Sequence, residues 1–206
     1  MHLYSAPGIP NPRIVEMVIH EKQLDIPKTI IDHQSGENRN AEFLAKNPAG
    51  QIPALMLDDG MVLAEVTAIA EYLEEICPSP FLIGETAELR AETRMWVRRI
   101  DLAILEPMAL AFRYGIGKKY FETRVTVYPD AAESMKAKAQ EGLIWLDEML
   151  AGKQYICGDR LTLADIMLYC TVDFFKKTGQ TVEDGLVHLG NLLANMADRE
   201  SARSTR

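Results

Sequence analysis

The sequence predicts an α/β domain at the start of the chain, followed by an all-α domain. Residues 1–77 alternate between strand-like and helix-like segments, whereas every segment after residue 86 has helical periodicity. Between them, "CPSPFLIGET" holds two prolines and a glycine and is typical of a linker. We therefore place one domain at residues 1–77 and a second at residues 87–206. A chain of 206 residues, 48% of them hydrophobic, can form both cores.

The first domain has the predicted order β-α-β-α-β-β-α. Its strand-like segments are residues 2–6, 28–32, 54–57 and 61–63, and its helix-like segments are residues 12–22, 40–46 and 66–75. Asp58-Asp59-Gly60 supplies the turn residues of a hairpin between the last two strands.

The second domain is predicted to contain four helices, at residues 89–110, 131–150, 163–175 and 186–197. The third begins at "RLTLADI", where Thr162 is a helix N-cap and Asp165 follows three residues later. Leu161 and Ile166 are the flanking apolar pair. This pattern predicts a capping box with a hydrophobic staple, so we expect Asp165 to be structural and not catalytic.

Composition narrows the function. The chain has 22 basic and 30 acidic residues, a net charge of −8, which argues against nucleic-acid binding through a basic face. No apolar run reaches the length of a membrane span, so we expect no membrane partner. Three cysteines without C-x-x-C spacing favour a reducing, cytoplasmic location, and the scattered histidines predict no metal site.

Pro53, in "NPAGQIPAL", stands at the start of a predicted strand. Proline cannot donate to a β-ladder, so it occurs at a strand's first residue, at a sheet edge or at a bend. The residues alone leave open a trans proline that opens an ordinary strand and a cis proline that redirects the Ile52 backbone.

Three segments resemble the cytosolic glutathione transferase family. They are "NPAGQIPAL" at residues 47–55, "LAEVTAIAEYLEE" at 63–75 and "GDRLTLADIMLY" at 158–169, and the resemblance covers nearly the whole chain. It implies an α/β thioredoxin-like N-terminal domain plus an all-α C-terminal helical domain. It further implies a cytoplasmic homodimer that uses glutathione as co-substrate, without a metal, in detoxification of a small hydrophobic electrophile.

The resemblance also implies the glutathione-binding residues. A cis bond between Ile52 and Pro53 would direct the Ile52 N–H and C=O away from the sheet, where a short peptide can pair with them. Glu65 would bind the γ-glutamyl amine, and the helix start at Val66 would bind the adjacent carboxylate. The family usually has Ser or Thr where this chain has Val66, so one hydrogen bond is expected to be missing.

Gln51 and Asn38 match positions that hold the glycine end of glutathione. Arg39 and Lys46 are nearby cations for an anionic ligand. The alternative for Asn38, Arg39 and Lys46 is ordinary solvated surface.

The group that activates the thiol is expected between the first strand and the first helix, in "LYSAPGIPNPRIV". Ile9 and Pro10 stand where the family often has Ser or Cys. The remaining candidates are Asn11 and Ser5. Asn11 is also predicted to cap the first helix, because it precedes a proline and an amphipathic run.

For the electrophile, the resemblance points to "MALAFRYGIGKKYF", where Phe112 and Tyr114 would supply an apolar wall and a hydroxyl; core packing is the alternative. We expect a glutathione transferase that conjugates or reduces a small electrophile, including a peroxide. The competing interpretation, favoured by Ile9, Pro10 and Val66, is a non-catalytic ligand-binding or dimerisation module of the same fold.

Overall fold

A computed structural model describes residues 1–205 of the chain. The chain forms two compact units, one of residues 1–85 together with the segment from Asp198 onward, and one of residues 86–197. The boundary differs from the predicted division at two places. Residues 78–85 belong to the first unit, and so do residues 198–205, which were predicted to belong to the helical domain.

The first unit contains a four-stranded mixed sheet of order β2-β1-β3-β4. The strands are β1 (His2–Ser5), β2 (Lys28–Ile30), β3 (Ala54–Met56) and β4 (Val62–Ala64). β2 runs parallel to β1, and β3 runs antiparallel to both β1 and β4. The predicted order of elements, and with it the thioredoxin-like class, is confirmed.

The helices of this unit are α1 (Pro10–Glu21), α2 (Ala41–Lys46), α3 (Val66–Ile76) and the short α9 (Glu200–Ser204). Side chains alternate along β1, so Leu3 and Ser5 are buried on one face while Tyr4 lies on the other. On that second face, the Tyr4 ring meets Phe43 of α2 edge-on at 5.9 Å. The apolar cluster there, the Phe43 cluster, consists of Ala6, Ile31, Phe43, Ile52 and Ala54.

A buried ion pair holds the predicted linker against the first unit. Lys22 Nζ lies 2.6 Å from Glu74 Oε2, and both side chains are fully buried. Lys22 also donates to the carbonyls of residues 77 and 80, and Glu74 accepts the N–H groups of residues 82–84. Because every charge and hydrogen-bonding group is paired, this segment is a fixed part of the unit and not a free linker.

The second unit is helical. Its helices are α4 (Ala87–Ile100), α5 (Glu106–Tyr114), α6 (Ala132–Met149), α7 (Leu163–Lys177) and α8 (Val187–Ala197). α7 is buried continuously over its first two thirds, from Leu163 to Val172, and contacts α4, α5 and α8.

The predicted single helix over residues 89–110 is interrupted by a π-helical segment, Asp101–Leu105. Pro107 explains the interruption, since it has no N–H to donate to the carbonyl of Ala103 and its ring would clash with that carbonyl in a regular helix. A Cβ atom added at Gly142 of α6 would lie 2.5 Å from the Ala103 oxygen. The absence of a side chain there lets α6 approach the π-helical segment closely.

The capping box at the start of α7 is confirmed. Asp165 accepts the backbone N–H of Thr162 and that of Ile156, each at 2.8 Å, and the Thr162 hydroxyl at the same distance. Burial raises the pKa of the Asp165 carboxyl from 3.8 to about 6, although these hydrogen bonds to the charged form offset part of the effect.

Candidate functional site

The loop before Pro53 is held by side chains that bond to its carbonyl groups. The carbonyls of residues 49, 50 and 51 each accept one hydrogen bond from a side-chain nitrogen. The donors are, in that order, Arg39, Asn38 and Asn47, at 3.0, 2.6 and 2.9 Å. Three consecutive satisfied carbonyls fix the loop backbone up to the residue before Ile52.

The Ile52 peptide is the next one along the chain, and it is unpaired. The bond from Ile52 to Pro53 is cis, as the resemblance implied. Within residues 1–205, neither the N–H nor the C=O of Ile52 takes part in a hydrogen bond. Its side chain is buried in the Phe43 cluster, which anchors the residue. An extended peptide that pairs with both backbone groups would satisfy them.

The start of α3 lies beside this loop. Ala54 of β3 pairs with Ala64 of β4, so Pro53 and Glu65 are neighbours across the ladder. Glu65 is exposed and has a φ of 69°. Residues other than glycine rarely adopt this backbone conformation, and those that do are often found at functional sites.

α3 begins at Val66, as predicted, with no side-chain cap and no acidic residue in its first turn. The first amides of such a helix have no partner within the helix, and its dipole favours negative charge there. The helix start therefore suits an anion, while Val66 itself offers no hydroxyl.

The start of α1 lies against the same cluster. Ile9 is the N-cap residue of α1 and packs against the Phe43 cluster, which contains Ile52. The first turns of α1 and α3 and the Ile52 peptide are thus placed around one part of the first unit.

Asn11 is not the N-cap, so that prediction was wrong. α1 begins two residues earlier than predicted, at Pro10, and its N-cap residue, Ile9, makes no side-chain hydrogen bond. Pro10 and Pro12 lack N–H groups, so the first turn has fewer amides to satisfy and a polar cap is not needed. Asn11 is exposed at the second helical position, and its amide is not used in capping.

Ser5 has a structural environment. Its side chain is fully buried, and its hydroxyl donates to Glu16 Oε1 of α1 at 2.5 Å. Glu16 also pairs with Lys28 at 2.7 Å. The hydroxyl is therefore occupied on the face of β1 opposite the Phe43 cluster, which argues against its use as a thiol donor.

The residues predicted at or near the glycine end of glutathione differ in whether their side chains are free to contact a ligand. Asn38 is 5% exposed, and its amide nitrogen supports the loop through Gly50. The alternative of ordinary solvated surface therefore fails for Asn38. Lys46 pairs with Glu42 at 2.9 Å. Gln51 is exposed beside Ile52 and stays available to a ligand.

Both predicted electrophile-pocket residues lie on α5 in the second unit. The Phe112 ring contacts three other phenylalanine rings, those of Phe121, Phe174 and Phe175, at 5.7–6.2 Å between centroids. Tyr114 meets Tyr128 edge-on at 5.5 Å. Phe112 is thus part of a half-buried aromatic cluster, and Tyr114, two residues later on α5, is half-buried too.

Sequence reasoning missed the loop-supporting roles of Asn47 and Arg39. Asn47 was not among the predicted site residues, although Asn before Pro is a signal for a side chain that bonds its own turn. Within residues 1–205, no group of three His, Cys, Asp or Glu side chains is arranged to hold a metal ion. In the same range no helix is both long enough and apolar enough to cross a membrane.

Comparison with known proteins shows which family the sequence resembles. Residues 10–76 match the model for the glutathione S-transferase N-terminal domain, and residues 129–194 match that for the C-terminal domain. Glutathione S-transferase 2 of Saccharomyces cerevisiae is 32% identical, and the alignment covers 84% of this chain and 76% of the relative.

A solved glutathione S-transferase domain-containing protein from Marinobacter aquaeolei VT8 superposes with a TM-score of 0.91 at 32% identity. That match covers 98% of this chain and 100% of the other. Human elongation factor 1-gamma is 34% identical over 68% of this chain but only 30% of its own length. Because both domain models match and the yeast relative aligns over most of its length, the chain belongs to the glutathione S-transferase family.

Proposed function

We propose that this protein binds glutathione at the Ile52 peptide and joins the tripeptide, through its sulfur, to a small electrophile. The observation that carries the proposal is the unpaired N–H and C=O of Ile52, which follow three carbonyls that are already satisfied. The cysteinyl part of glutathione has one N–H and one C=O, so it can pair with both groups as an added strand.

The two ends of the tripeptide have complementary partners. The exposed carboxylate of Glu65 suits the γ-glutamyl amine, and the free amides at the start of α3 suit the adjacent carboxylate. Gln51, exposed beside Ile52, suits the glycine end. Val66 lacks the hydroxyl common in the family. A lost hydrogen bond to a charged group is worth about 1.5–3 kcal/mol, so binding weaker than in most relatives is expected.

Asn11 is our candidate for the residue that activates the thiol. Its amide is exposed in the first turn of α1 and is not engaged as a cap, so its NH₂ group can donate to a thiolate. Lowering a thiol pKa by two units takes about 2.7 kcal/mol. One hydrogen bond to a charged group supplies about 1.5–3 kcal/mol, so a single amide with the helix N-terminus suffices.

The reaction then follows from the thiolate. With an aryl halide, sulfur attacks the ring carbon, a carbon–sulfur bond forms, the halide leaves with the electron pair of its bond, and the thiol proton passes to solvent. With a hydroperoxide, two glutathione molecules become the disulfide while the peroxide is reduced to an alcohol and water. We propose that the protein acts as a cytoplasmic homodimer in detoxification. The presence of only three cysteines, without C-x-x-C spacing, supports that compartment.

The test combines binding and turnover. Calorimetric titration with glutathione should give a measurable affinity, and Glu65→Ala should weaken it by about 10- to 100-fold, because a charge-assisted contact is lost. Glu85→Ala, an exposed carboxylate in the same unit, is the matched control and should leave the affinity unchanged. Equal losses in the two variants would show that only general charge matters.

A second candidate function is a non-catalytic module. It is favoured by Ile9, Pro10 and Val66, which lack the usual donors, and by the similarity to elongation factor 1-gamma. Turnover of 1-chloro-2,4-dinitrobenzene and of cumene hydroperoxide separates the two candidates. Glutathione binding without either turnover would favour the module, whereas absence of binding would overturn both.

A further inference from the structure

Residues 198–205 belong to the first unit and pack against α1. The short helix α9 in this segment holds Ser201 and Ala202 in buried positions. Ser201 and the nearby Arg199 both donate hydrogen bonds to Glu21, at the C-terminal end of α1. The segment is therefore attached to α1 by its side chains and is a structural part of the unit.

A second attachment involves Arg13, which ends the first turn of α1. Arg13 is 9% exposed, and its Nη2 atom donates to the Ala202 carbonyl at 3.1 Å. Burying a charged group is costly unless it is hydrogen-bonded, so the guanidinium is expected to keep this contact. Residues 198–205 are thus attached to α1 at two places, one of them close to its start.

The start of α1 is a helix end that its own residues do little to hold. Ile9, the N-cap residue, has no polar side-chain atom with which to cap the helix, and Pro10 and Pro12 have no N–H groups. Asn11 is exposed in the same turn. Helix termini open readily unless tertiary contacts hold them. Because Arg13 is only two residues after Asn11, its buried contact is well placed to keep this turn folded.

We propose that Arg13 is a positioning residue. Through its contact with Ala202 it keeps the first turn of α1, and with it the Asn11 amide, where the amide can donate to the glutathione sulfur. This inference rests on the proposed function, in which Asn11 activates the thiol. A functional donor must be held within about 0.5 Å of its productive position, and a hydrogen bond weakens steeply as it bends. In this role Arg13 acts through Asn11 and does not itself contact the sulfur.

The test measures the thiol pKa of bound glutathione from the ultraviolet absorbance of the thiolate. Arg13→Met keeps a long side chain but loses its donors. We expect it to raise this pKa by about 0.5–1 unit, which lowers the acid dissociation constant of the thiol by about three- to tenfold. The shift should be smaller than that of Asn11→Ala, in which the donor itself is gone. Arg13→Lys keeps a charged donor for the Ala202 carbonyl and should restore most of the wild-type pKa.

A double variant shows whether Arg13 acts through Asn11. In the Asn11→Ala background, Arg13→Met should raise the thiol pKa no further, because the donor that Arg13 positions is absent. A further rise equal to that in the wild-type background would overturn the inference, since the charge of Arg13 would then act on the thiolate directly.

Arg199→Met is the matched control. It removes the same charge and also loosens residues 198–205 from α1, but it does so at Glu21, at the other end of the helix from Asn11. We expect it to lower the melting temperature and to leave the thiol pKa of bound glutathione unchanged. An equal rise of this pKa in Arg199→Met and Arg13→Met would overturn the inference in favour of a general loosening of the unit.

Hydrogen exchange separates this inference from the proposed function, because it needs no glutathione. In a regular helix the amides of residues 14 and 15 bond to carbonyls of the first turn. Arg13→Met should make these two amides exchange at least about tenfold faster, after correction for intrinsic rates. Arg199→Met should instead speed exchange in the last turn of α1.

The outcomes then differ. If Asn11→Ala raises the thiol pKa but Arg13→Met does not, the inference fails and the proposed function stands. If glutathione does not bind, or Asn11→Ala leaves the thiol pKa unchanged, the proposed function fails and the role of Arg13 in the reaction fails with it. The exchange pattern still decides in that case whether Arg13 holds the first turn.

Discussion

The two ends of α1 differ in how firmly they are fixed. At the C-terminal end, Lys22 is buried against Glu74, and Glu21 receives two hydrogen bonds from Arg199 and one from Ser201, at 2.5–2.7 Å. At the N-terminal end, the helix starts without a side-chain cap and Asn11 is exposed. The end that holds the unit together is thus separate from the end where chemistry is proposed.

Because of this difference, substitutions at the C-terminal end of α1 should destabilise the fold more than substitutions at its N-terminal end. Glu21 illustrates the fixed end: burial acts to raise its pKa, but the hydrogen bonds from Arg199 and Ser201 outweigh it and lower the pKa below the usual value. The stabilising contribution of Glu21 is therefore present above its unfolded-state pKa of about 4.3 and is lost as the pH falls below it. Among residues 1–205, no comparable network restrains Asn11.

The largest effect is expected at the buried pair. Glu74→Ala leaves Lys22 charged and unpaired, and it leaves three backbone N–H groups at residues 82–84 without their acceptor. We expect the free energy of unfolding to fall by about 3–5 kcal/mol, measured by urea denaturation. Glu85→Ala, on the surface, should change it by less than about 0.5 kcal/mol. A loss below about 1 kcal/mol in Glu74→Ala would show that the network contributes little.

Asp165, a buried carboxylate that accepts hydrogen bonds from N–H and O–H groups, can be compared with the ion-paired Glu74. The pKa of Asp165 is raised to about 6 by burial, so the folded state holds this proton more tightly than the unfolded chain. Stability from this group is therefore complete below about pH 4 and is lost as the pH rises to about 6, by about 3 kcal/mol. The Asp165→Asn side chain does not ionise, so it contributes no pH dependence to stability in this range.

The measurement is the difference in unfolding free energy between the wild type and Asp165→Asn, taken from pH 3.5 to 7.5. The variant loses acceptors for the Thr162 and Ile156 amides, so it is less stable throughout, and only the pH dependence of the difference is informative. That difference should shrink between about pH 4 and 6 and stay constant above. A constant difference over the whole range would contradict the raised pKa.

The sequence predicted the features that depend on local patterns. Alternation and helical spacing located every strand and α-helix of the first unit up to α3 within two residues, since each pattern belongs to one short segment. The 3₁₀-helix at Glu37–Arg39 was not predicted. The capping box at Thr162 and the helix start at Val66 were predicted for the same reason. The cis bond before Pro53 required the family resemblance, because the residues alone fit either isomer.

The features that the sequence did not predict depend on competing helix starts or on contacts between residues far apart in the chain. "PNPRIV" allows a helix to start at either proline, and the earlier start at Pro10 removed the predicted cap at Asn11. Lys22 and Glu74 are 52 residues apart, so no local pattern links them. The role of Asn38 likewise depends on its contact with Gly50, twelve residues later, which the residues around Asn38 do not predict.

The loop before Ile52 offers a smaller test than the buried charges. Asn38→Ala leaves the Gly50 carbonyl without its buried donor, so we expect a loss of about 1–3 kcal/mol in unfolding free energy. Glutathione binding should weaken too, because the Ile52 peptide loses its support. Gln51→Ala, at an exposed position in the same loop, should leave stability unchanged. If only Gln51→Ala weakens calorimetrically measured binding, direct contact at the glycine end matters and loop support does not.

The smallest effect on stability, with a large one on activity, is expected at the open end of α1. Asn11→Ala removes an exposed side chain that caps nothing, so the unfolding free energy should change by less than about 0.5 kcal/mol. If its amide donates to the thiolate, the pKa of bound glutathione should rise by about one to two units. The ultraviolet absorbance of the thiolate, titrated with pH, measures that shift. Ser5→Ala should leave this pKa unchanged, because the Ser5 hydroxyl is buried and donates to Glu16. A shift in Ser5→Ala alone would transfer the activating role to β1 and remove the functional distinction between the two ends of α1.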